Sequence, residues 1–277
     1  MALITLTTDF GEKDYFAGAV KGAIYSELSD VRIVDISHSV SPFHISEAAY
    51  IIKNAYKSFP KGSIHIIGID SELTPENKHL AVKLDDHYFI CANNGILSLL
   101  ASEIMPEKIV EINIHDKIQT NFPVLDVFVK VACHISRGGT LEVIGKNVRD
   151  IKHLKQFEPI INSEKDQILG HVIYIDNYGN VITNISRKLF ESVGKARDFK
   201  ISARNVNFNV IHETYSHAIN FDVEKEHRKE EDGKKLAVFN SAGYIELAIY
   251  KSNPSTVGSA ASLFGLEYLD TITVNFE

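Results

Sequence analysis

Short β-branched runs alternate with amphipathic stretches through the first half of the chain. The pattern predicts strands at residues 3–7, 31–36, 63–69, 80–84, 88–92 and 109–114, and helices at 15–28, 46–56, 95–102 and 127–137. Asp14 stands where a cap for the first helix is expected. Such alternation predicts a largely parallel sheet flanked by helices, in which ligands collect at the carboxyl ends of the strands. Asp9, Asp35 and Asp70 lie at such predicted ends.

The pattern changes after residue 145, because the segment 152–165 is polar and irregular. The segment is followed by strand-sized runs with few helical patterns, at 168–175, 180–185, 199–203, 236–239 and 244–249. These runs predict a smaller antiparallel domain, either a barrel or a sandwich. A length of 277 residues favours two domains over one. We therefore expect an α/β domain at 1–150, a linker at 151–165 and a β domain at 166–277.

The composition is that of a globular protein with small-molecule partners. Hydrophobic residues make up 44% of the chain and charged residues 23%, and the formal net charge is -7. Because no basic stripe occurs, this charge argues against binding to nucleic acid or to anionic membranes. Cys91 and Cys133 lie in apolar runs and predict buried, reduced thiols. Without a basic leader or an apolar stretch approaching ~18 residues, a cytoplasmic location is expected.

Asp9 is the first candidate binding residue. It follows a predicted strand and precedes Gly11, which places its carboxylate beside flexible backbone at a strand end. Such a carboxylate can accept two hydrogen bonds from the cis-diol of a ribose. The alternative is a helix cap or a turn residue, which aspartate favours on intrinsic grounds. Asp14 has the same two interpretations, and a capping aspartate can also contact a ligand ammonium.

Two turn-like segments of the second half contain further candidates. Residues 176–180, Asp-Asn-Tyr-Gly-Asn, join two predicted strands with the residue types that a hairpin loop needs. The Asn180 amide could also pair with a purine edge, while Tyr178 offers a ring face. Residues 240–244, Asn-Ser-Ala-Gly-Tyr, could hold a carboxylate through their hydroxyl and amides. Each segment is also explained as a turn alone.

No metal-binding or phosphate-binding motif is found in the sequence. The chain has twelve histidines, and His38, His44 and His65 occur near Asp35 and Asp70, but their spacing matches no metal-binding pattern. A metal-dependent hydrolase is the corresponding alternative, and a chelator would inactivate it. Neither a P-loop nor a G-x-G-x-x-G motif occurs, so a nucleotide would not be held by its phosphates in either standard way.

Six segments, taken in order, resemble the S-adenosylmethionine (SAM) hydroxide adenosyltransferase family, whose relatives include fluorinase and chlorinase. The resemblance covers nearly the whole chain. Its segments are Thr7-Thr8-Asp9-Phe10-Gly11 with Asp14 and Lys21-Gly22, Val34-Asp35-Ile36-Ser37-His38 with Pro42-Phe43, Phe59-Pro60-Lys61-Gly62-Ser63, Asn93-Asn94-Gly95, Gly179-Asn180-Val181-Ile182-Thr183-Asn184 and Asn240-Ser241-Ala242-Gly243-Tyr244. It implies an α/β amino-terminal domain, a β carboxyl-terminal domain and a homotrimer whose active sites form between subunits. No cofactor is implied, since SAM is the substrate or ligand.

The resemblance also implies roles for individual residues. Asp9 matches the carboxylate that holds both ribose hydroxyls. The other implied substrate contacts are Asp14, Asp176 and Ser241 around the methionine amino acid group, Tyr178 and Asn180 at the adenine, Tyr215 packed on the base, Ser259 and Ala260 at the adenine edge, and Phe122. Residues 251–257 look like an insertion, which leaves the register of Ser259 and Ala260 open.

The chemistry implied by the family is attack on the ribose 5′ carbon, with the sulfonium departing as a neutral thioether. Hydrolytic members are expected to orient the attacking water with an Asp, an Arg and a His. Here Asp70 matches the Asp, but Asn77 stands at the Arg position and Pro123 at the His position. Lys78 could restore the missing charge, although lysine lacks the planar fork of arginine.

This incomplete set leaves two functional hypotheses. The first is slow hydrolysis of SAM to adenosine and methionine, with His79 and His44 as further candidates for the missing histidine. The second is a catalytically inactive SAM or adenosine sensor that keeps the binding residues. Halide transfer is not expected, because Asp70 stands where halogenating relatives have an aromatic residue and Val124 where the fluorinase has a halide-binding serine.

Overall fold

A mixed sheet with helices on both faces forms the first of two compact units. The computed structural model describes residues 3–114, 120–155, 157–224 and 227–277. The chain divides into the units Met1–Lys155 and Gln156–Glu277. The domain limits expected above, with a linker at 151–165, stay a prediction.

Seven strands and four α-helices make up the described part of the first unit. The strands are Leu3–Thr8 (β1), Arg32–Ser37 (β2), Ile64–Gly68 (β3), His79–Leu84 (β4), His87–Ala92 (β5), Lys108–Ile112 (β6) and Gly145–Asn147 (β7). The helices are Phe16–Glu27 (α1), Ile45–Ala55 (α2), Ile96–Leu100 (α3) and Val129–Ser136 (α4), with a π-helix at Val124–Phe128 and 3-10 turns at Tyr56–Ser58 and Leu141–Val143. Apolar side chains of α1 and α4 bury one face of the sheet, and those of α2 and α3 bury the other.

The parallel part of this sheet contains the predicted strand-end carboxylates. The strand order is β2-β1-β3-β5-β4-β6-β7. The first four strands pair in parallel, whereas β5, β4, β6 and β7 pair in an antiparallel manner. The predicted α/β class is therefore confirmed. Because β1 and β3 are parallel neighbours, their carboxyl ends meet at one edge of the sheet.

Two details of the first unit differ from the sequence-based prediction. The N-cap of α1 is Tyr15 and makes no side-chain capping bond, so the expected cap by Asp14 is wrong. Asp35 lies inside β2 instead of at its end. In both cases the boundary of the helix or strand lies one or two residues from the predicted boundary. Local sequence preferences do not define element boundaries to that precision.

The second unit is an antiparallel, nearly closed, barrel-like sheet. Its strands are Ile160–Ile161 (β8), Gln167–Ile175 (β9), Val181–Ser186 (β10), Phe199–Ala203 (β11), Val206–Phe208 (β12), Lys235–Phe239 (β13), Tyr244–Ile249 (β14) and Thr271–Phe276 (β15). Its helices are Arg187–Gly194 (α5) and Ala260–Phe264 (α6), with 3-10 turns at Tyr215–Ala218 and Arg228–Glu231. The predicted antiparallel β class is confirmed.

Strand pairing nearly joins the two ends of this second sheet. The order is β12-β11-β15-β9-β10-β14-β13, and β8 pairs with β9. An isolated bridge between His212 and Val238 links the segment after β12 to β13. The sequence analysis missed helix α5, although Ser186 caps it by accepting a hydrogen bond from the Leu189 N–H at 3.2 Å. A serine followed by an amphipathic stretch was the available signal.

Two further sequence-based expectations can be compared with the structure. Cys91 and Cys133 are buried and free, which confirms the prediction of reduced, buried thiols. Across the residues that the structure describes, no helix is both long and apolar enough to cross a membrane.

Two buried histidines form a polar chain inside the first unit. Thr5 Oγ1 lies 2.7 Å from His65 Nδ1, and His65 Nε2 lies 3.1 Å from His87 Nδ1. Burial, assisted by the neighbouring His87, lowers the pKa of His65 to about 3. Burial also lowers the pKa of His87. Both imidazoles are therefore neutral in the folded protein at neutral pH.

Acid is expected to destabilise the protein through His65. Its pKa is about 6.5 in an unfolded chain and about 3 in the folded one, so the unfolded chain binds a proton first. The contribution of neutral His65 to the free energy of unfolding is complete above pH 6.5 and is lost as the pH falls towards 3. The loss amounts to on the order of 3 kcal/mol by about pH 4. Urea unfolding at neutral and acidic pH measures this loss. His65→Gln, which takes up no proton, should show a correspondingly flatter pH dependence, and an unchanged dependence would contradict the assignment.

Candidate functional site

Two candidate carboxylates follow the adjacent carboxyl ends of β1 and β3. Thr8 pairs with Gly68 in the parallel register, and Asp9 and Asp70 follow these residues. Burial raises the pKa of Asp9, and the negative charge of Asp70 raises it further. The N–H of Phe43 opposes this rise by donating a hydrogen bond of 2.9 Å to Asp9 Oδ2. The register of β1 and β3 brings the strand ends that precede Asp9 and Asp70 side by side.

The loop that follows β3 holds Asp70 in an unusual backbone conformation. Asp70 has a φ of 42°, in the left-handed region that non-glycine residues rarely occupy. Asn77 Nδ2 donates hydrogen bonds to the carbonyl oxygens of Asp70 at 2.9 Å and Glu72 at 3.2 Å. His79 Nε2 lies 2.9 Å from the Ser71 carbonyl oxygen. Asn77, which the resemblance matched to the family Arg, therefore uses its amide group to hold the loop.

The other candidates for the missing partners have different local roles. Lys78 is half-buried, and among the described residues no ion pair joins it to Asp70. His44 caps α2 by accepting a hydrogen bond from the Glu47 N–H at 3.1 Å. Pro123 is buried at the start of the π-helix, where its fixed φ suits the first turn. Proline has no group that exchanges a proton, so Pro123 does not replace an imidazole.

A polar chain missed by the sequence analysis supports the segment that contains Asp9. His38 is buried, and its Nδ1 lies 2.7 Å from Thr8 Oγ1. Its Nε2 lies 3.1 Å from Asp35 Oδ1, within ion-pair distance but outside good hydrogen-bond geometry, and Lys21 Nζ donates to Asp35 Oδ2 at 2.5 Å. Burial raises the pKa of Asp35, but the hydrogen bond from Lys21 and the nearby His38 ring outweigh this effect and lower it. From the sequence, Asp35 was predicted as a strand-end carboxylate, and both residues were considered as metal ligands and as part of one segment of the family resemblance, but this chain of contacts was not predicted.

Aromatic side chains surround the same strand end. Phe122 packs edge-on against Phe10, with ring centroids 5.5 Å apart, and against Phe16, at 5.3 Å. Phe10 continues directly from Asp9 in the sequence, so this cluster gives the carboxylate an apolar flank. Asp14, on the same connection to α1, is exposed. The π-helix begins two residues after Phe122, and such helices occur frequently at functional sites.

In the second unit, residues 176–180 form the tight connection between β9 and β10. Asp176 Oδ1 accepts hydrogen bonds from the N–H groups of Tyr178 at 2.9 Å and Asn180 at 2.8 Å. Asp176 Oδ2 accepts a bond of 3.0 Å from Asn180 Nδ2. Gly179 has a φ of 73°, which glycine adopts at no steric cost. The turn predicted from the sequence is thus present, and its polar side chains stabilise one another.

Four predicted contact residues line one cavity of the second unit. The cavity has a volume of about 340 Å³ and is lined by Asp176, Tyr178, Asn180, Tyr215 and the segment 249–252. A neighbouring cavity of about 330 Å³ is lined by Ser241, Asn240, Tyr215, Glu246 and residues 213, 214, 238 and 239. Both volumes lie at the lower end of the range for small-molecule sites. Tyr178 is 66% exposed, so its ring face is accessible.

The remaining predicted contacts occupy the start of α6. Ser259 is the N-cap of this helix and forms a capping box with Ser262, while Ala260 is its first residue. Both are buried, and neither is among the described residues that line the two cavities. Glu246 lines the second cavity, but the sequence analysis overlooked it. The sequence feature that could have identified Glu246 is its position as a single acidic residue within the apolar strand β14.

Gly179→Ala is expected to destabilise the second unit. A Cβ at Gly179 would lie 2.2 Å from Ser259 Cβ, and its φ of 73° already disfavours a side chain. We expect a loss of about 2 to 4 kcal/mol in urea unfolding. Gly233→Ala is the matched control, because its φ is 86° but no atom lies within 4 Å of its added Cβ. The control should lose about 1 kcal/mol, and equal losses in the two variants would show that the close packing on Ser259 is unimportant.

The ligating side chains do not assemble a metal centre in the part of the chain that the structure describes. No group of three or more His, Cys, Asp or Glu residues there is arranged to hold an ion. The candidate chemistry of the described residues is provided by the strand-end carboxylates Asp9 and Asp70 and by a cavity lined by aromatic rings and an amide. These features define an α/β unit and a β unit with candidate sites for a small polar ligand.

Comparison with known proteins identifies the family. The model of the SAM hydroxide adenosyltransferase N-terminal domain matches residues 4–145, and that of the C-terminal domain matches residues 170–273. Together they cover most of the chain, which therefore belongs to the SAM hydroxide adenosyltransferase family. The resemblance inferred from the six sequence segments is confirmed.

Individual relatives share both the sequence and the fold. An (R)-S-adenosyl-L-methionine hydrolase from Methanocaldococcus jannaschii is 28% identical, over 98% of this chain and 95% of that protein. A fluorinase from Actinopolyspora mzabensis is 24% identical, over 89% of this chain and 90% of its own. The crystal structure of an uncharacterized conserved protein from Thermotoga maritima matches with a TM-score of 0.82 and 25% identity, covering 99% of this chain and 100% of that one.

Proposed function

We propose that this protein binds SAM and hydrolyses it to adenosine and methionine. The observation that carries the proposal is the placement of Asp9 and Asp70 just after the adjacent carboxyl ends of the parallel strands β1 and β3. Similarity to proteins named (R)-S-adenosyl-L-methionine hydrolase supports this reaction and favours the (R) sulfonium epimer as the substrate. No cofactor is required, because the sulfonium is already an activated leaving group.

Each catalytic step can be assigned to groups of this chain. Asp9 accepts hydrogen bonds from the two ribose hydroxyls, and Asp70 orients the attacking water. The water oxygen forms a bond to the 5′ carbon as the carbon–sulfur bond breaks. The bonding electron pair passes to sulfur, which leaves as the neutral thioether of methionine, and the water proton passes to Asp70 or solvent. The leaving group needs no acid. Alignment of the attacking water with the carbon–sulfur bond, and exclusion of other water from the site, should therefore supply most of the rate acceleration.

The second unit supplies the groups that suit the rest of the ligand. Tyr178, Asn180 and Tyr215 line a cavity with ring faces and an amide, which suit adenine. Ser241 lines the neighbouring cavity and, together with Asp176, suits the amino acid end of methionine. Asp14 of the first unit is proposed to contact the same end of the ligand. We further propose a cytosolic homotrimer in which the first unit of one subunit and the second unit of another share a ligand. Light scattering on the purified protein tests the trimer.

A catalytically inactive SAM or adenosine sensor is the second candidate function. One observation favours it. Asn77, matched to the family Arg, carries no positive charge, and Pro123, matched to the family His, has no group that exchanges a proton. Loss of general base assistance alone is typically worth about 100- to 10,000-fold in rate. The two candidates share the binding residues and differ only in turnover.

Turnover and binding assays separate these functions. Purified protein is mixed with the (R) or the (S) epimer of SAM, and adenosine and methionine are followed by chromatography, with and without a chelator. Hydrolysis predicts equal amounts of both products from the (R) epimer and no effect of the chelator. Calorimetric binding of adenosine without enzyme-dependent turnover would favour the sensor, and absence of both would overturn both candidates.

Lys78→Ala tests whether this lysine replaces the missing arginine. If its ammonium stabilises the attacking hydroxide, kcat should fall about tenfold, the effect of about 1.4 kcal/mol of transition-state stabilisation. Adenosine affinity, measured by calorimetry, should stay close to that of the wild type, and Lys78→Arg should keep most of the activity. Equal turnover in Lys78→Ala and the wild type would remove Lys78 from the mechanism.

A further inference from the structure

A phenol and a buried carboxylate form a direct hydrogen bond between the two cavities of the second unit. Glu246 lies in β14 and is only 4% exposed. The Tyr215 hydroxyl donates a hydrogen bond to Glu246 Oε1. Tyr215 begins the 3-10 turn Tyr215–Ala218, on a segment remote from β14 in the sequence. This bond therefore attaches a surface turn to a strand of the sheet.

Tyr215 contributes to the walls of both cavities. It lines the larger cavity with Asp176, Tyr178 and Asn180, and the smaller one with Ser241 and Glu246. Its side chain is therefore a shared wall, and its orientation determines how the space is divided. The 3-10 turn contains no buried residue of its own, so apolar packing alone fixes it weakly.

The surroundings of Glu246 make this hydrogen bond costly to lose. Burial raises the pKa of Glu246, while hydrogen bonds from Tyr215 and then Asn240 oppose that rise, and the charge of Asp176 adds to it. Burial, followed by the bond to Glu246, also raises the pKa of Tyr215, so the phenol keeps its proton. A buried carboxylate without its donors is strongly unfavourable. The pair therefore favours one orientation of the Tyr215 side chain.

We propose that Glu246 is a positioning residue that fixes the Tyr215 ring as the wall of the nucleoside cavity and thereby determines affinity for the base. The proposal rests on the proposed function for the identity of the ligand. Glu246 does not need to touch the ligand, because it acts through the hydroxyl of Tyr215. Its contribution should consequently disappear when that hydroxyl is absent.

Amide hydrogen exchange on the ligand-free protein tests the positioning role directly. Tyr215→Phe and Glu246→Leu should each accelerate exchange in the segment 214–219, whose His217 and Ile219 N–H groups bond within the turn. The double variant should exchange no faster than Tyr215→Phe, and Glu246→Gln, whose amide oxygen still accepts the hydroxyl, should stay close to wild type. Exchange in β11 is the internal control and should not change. Unchanged exchange in the segment, or additive effects, would overturn the proposal.

Adenosine affinity provides the functional readout. Tyr215→Phe and Glu246→Leu should each weaken adenosine binding about tenfold, as expected when the released ring adopts the binding orientation about one tenth of the time. Glu246→Leu should have no further effect in the Tyr215→Phe background, and Glu246→Gln should recover most of the affinity. If Glu246 acted only on overall stability, its effect would persist without the hydroxyl. Should Glu246→Leu not fold, unchanged exchange and affinity in Tyr215→Phe would alone overturn the proposal.

These outcomes remain distinct from a failure of the proposed function. If the wild-type protein bound no adenosine, the assignment of the nucleoside cavity would fall together with the role of Tyr215 in base affinity. The exchange experiment would still decide whether Glu246 fixes the turn. If adenosine bound but no variant changed its affinity, the positioning role would be overturned while the proposed function stood.

Discussion

Asp70→Asn is expected to lower kcat for SAM hydrolysis about 100-fold or more. A carboxylate that orients water and accepts its proton typically contributes roughly 100- to 10,000-fold. The matched positions 77 and 123 provide no second base, since Asn77 is bonded to the backbone of the loop and Pro123 does not titrate. Asparagine also tolerates the left-handed φ of 42° at this position, so the loop should keep its geometry.

The experiment compares kcat with adenosine affinity in the same preparations. Asp70→Asn should leave calorimetric adenosine binding near the wild-type value, because Asp70 acts on water and not on the nucleoside. Glu76→Gln, an exposed residue of the same loop, removes an equal charge and should not change kcat. Similar turnover in Asp70→Asn and the wild type would show that Asp70 does not activate water.

Asp9→Asn is expected to weaken adenosine binding by about 100-fold. The charged carboxylate is proposed to accept two hydrogen bonds from the ribose diol, and bonds to a charged group are worth about 1.5 to 3 kcal/mol each. An asparagine keeps one oxygen acceptor for the Phe43 N–H, which now donates to Asp9 Oδ2 at 2.9 Å. The substitution therefore removes the charge while it preserves the local backbone contact.

A second ligand isolates the ribose contribution. Adenosine and 2′,3′-dideoxyadenosine are titrated against the wild type and Asp9→Asn by calorimetry. The dideoxy ligand lacks both hydroxyls, so the two proteins should bind it with similar affinity. An equal loss for both ligands would mean that Asp9 shapes the site without contacting the diol, and no loss for either would place the ribose elsewhere.

The sequence predicted the α/β unit well because its strands have consistent local signals. The β-branched runs that became β1, β3 and β5 are buried on both faces, which a short apolar run between polar turns indicates. The same order of elements placed Asp9 and Asp70 at strand ends. The turn of residues 176–180 was also predictable, since Asp, Asn and Gly favour the conformations it adopts.

Features that depend on tertiary contacts were not predictable in this way. The role of Asn77 arises because its amide reaches the carbonyl oxygens of Asp70 and Glu72 in a folded loop. The bond between Tyr215 and Glu246 joins positions 31 residues apart, and no local pattern encodes that distance. The expected cap at Asp14 failed for the opposite reason, since α1 begins at Phe16 with Tyr15 as its N-cap despite the favourable propensity of aspartate at position 14.

The bridge between His212 and Val238 has a consequence for how copies of this protein can associate. It connects the segment after β12 to β13, the two ends of the second sheet. Open sheet edges present rows of unpaired backbone groups on which a strand of another molecule can add. A sheet whose ends are nearly joined offers little of this template. Any association of copies through this unit should therefore depend on side-chain shape and charge, which point substitutions can alter without disturbing the backbone.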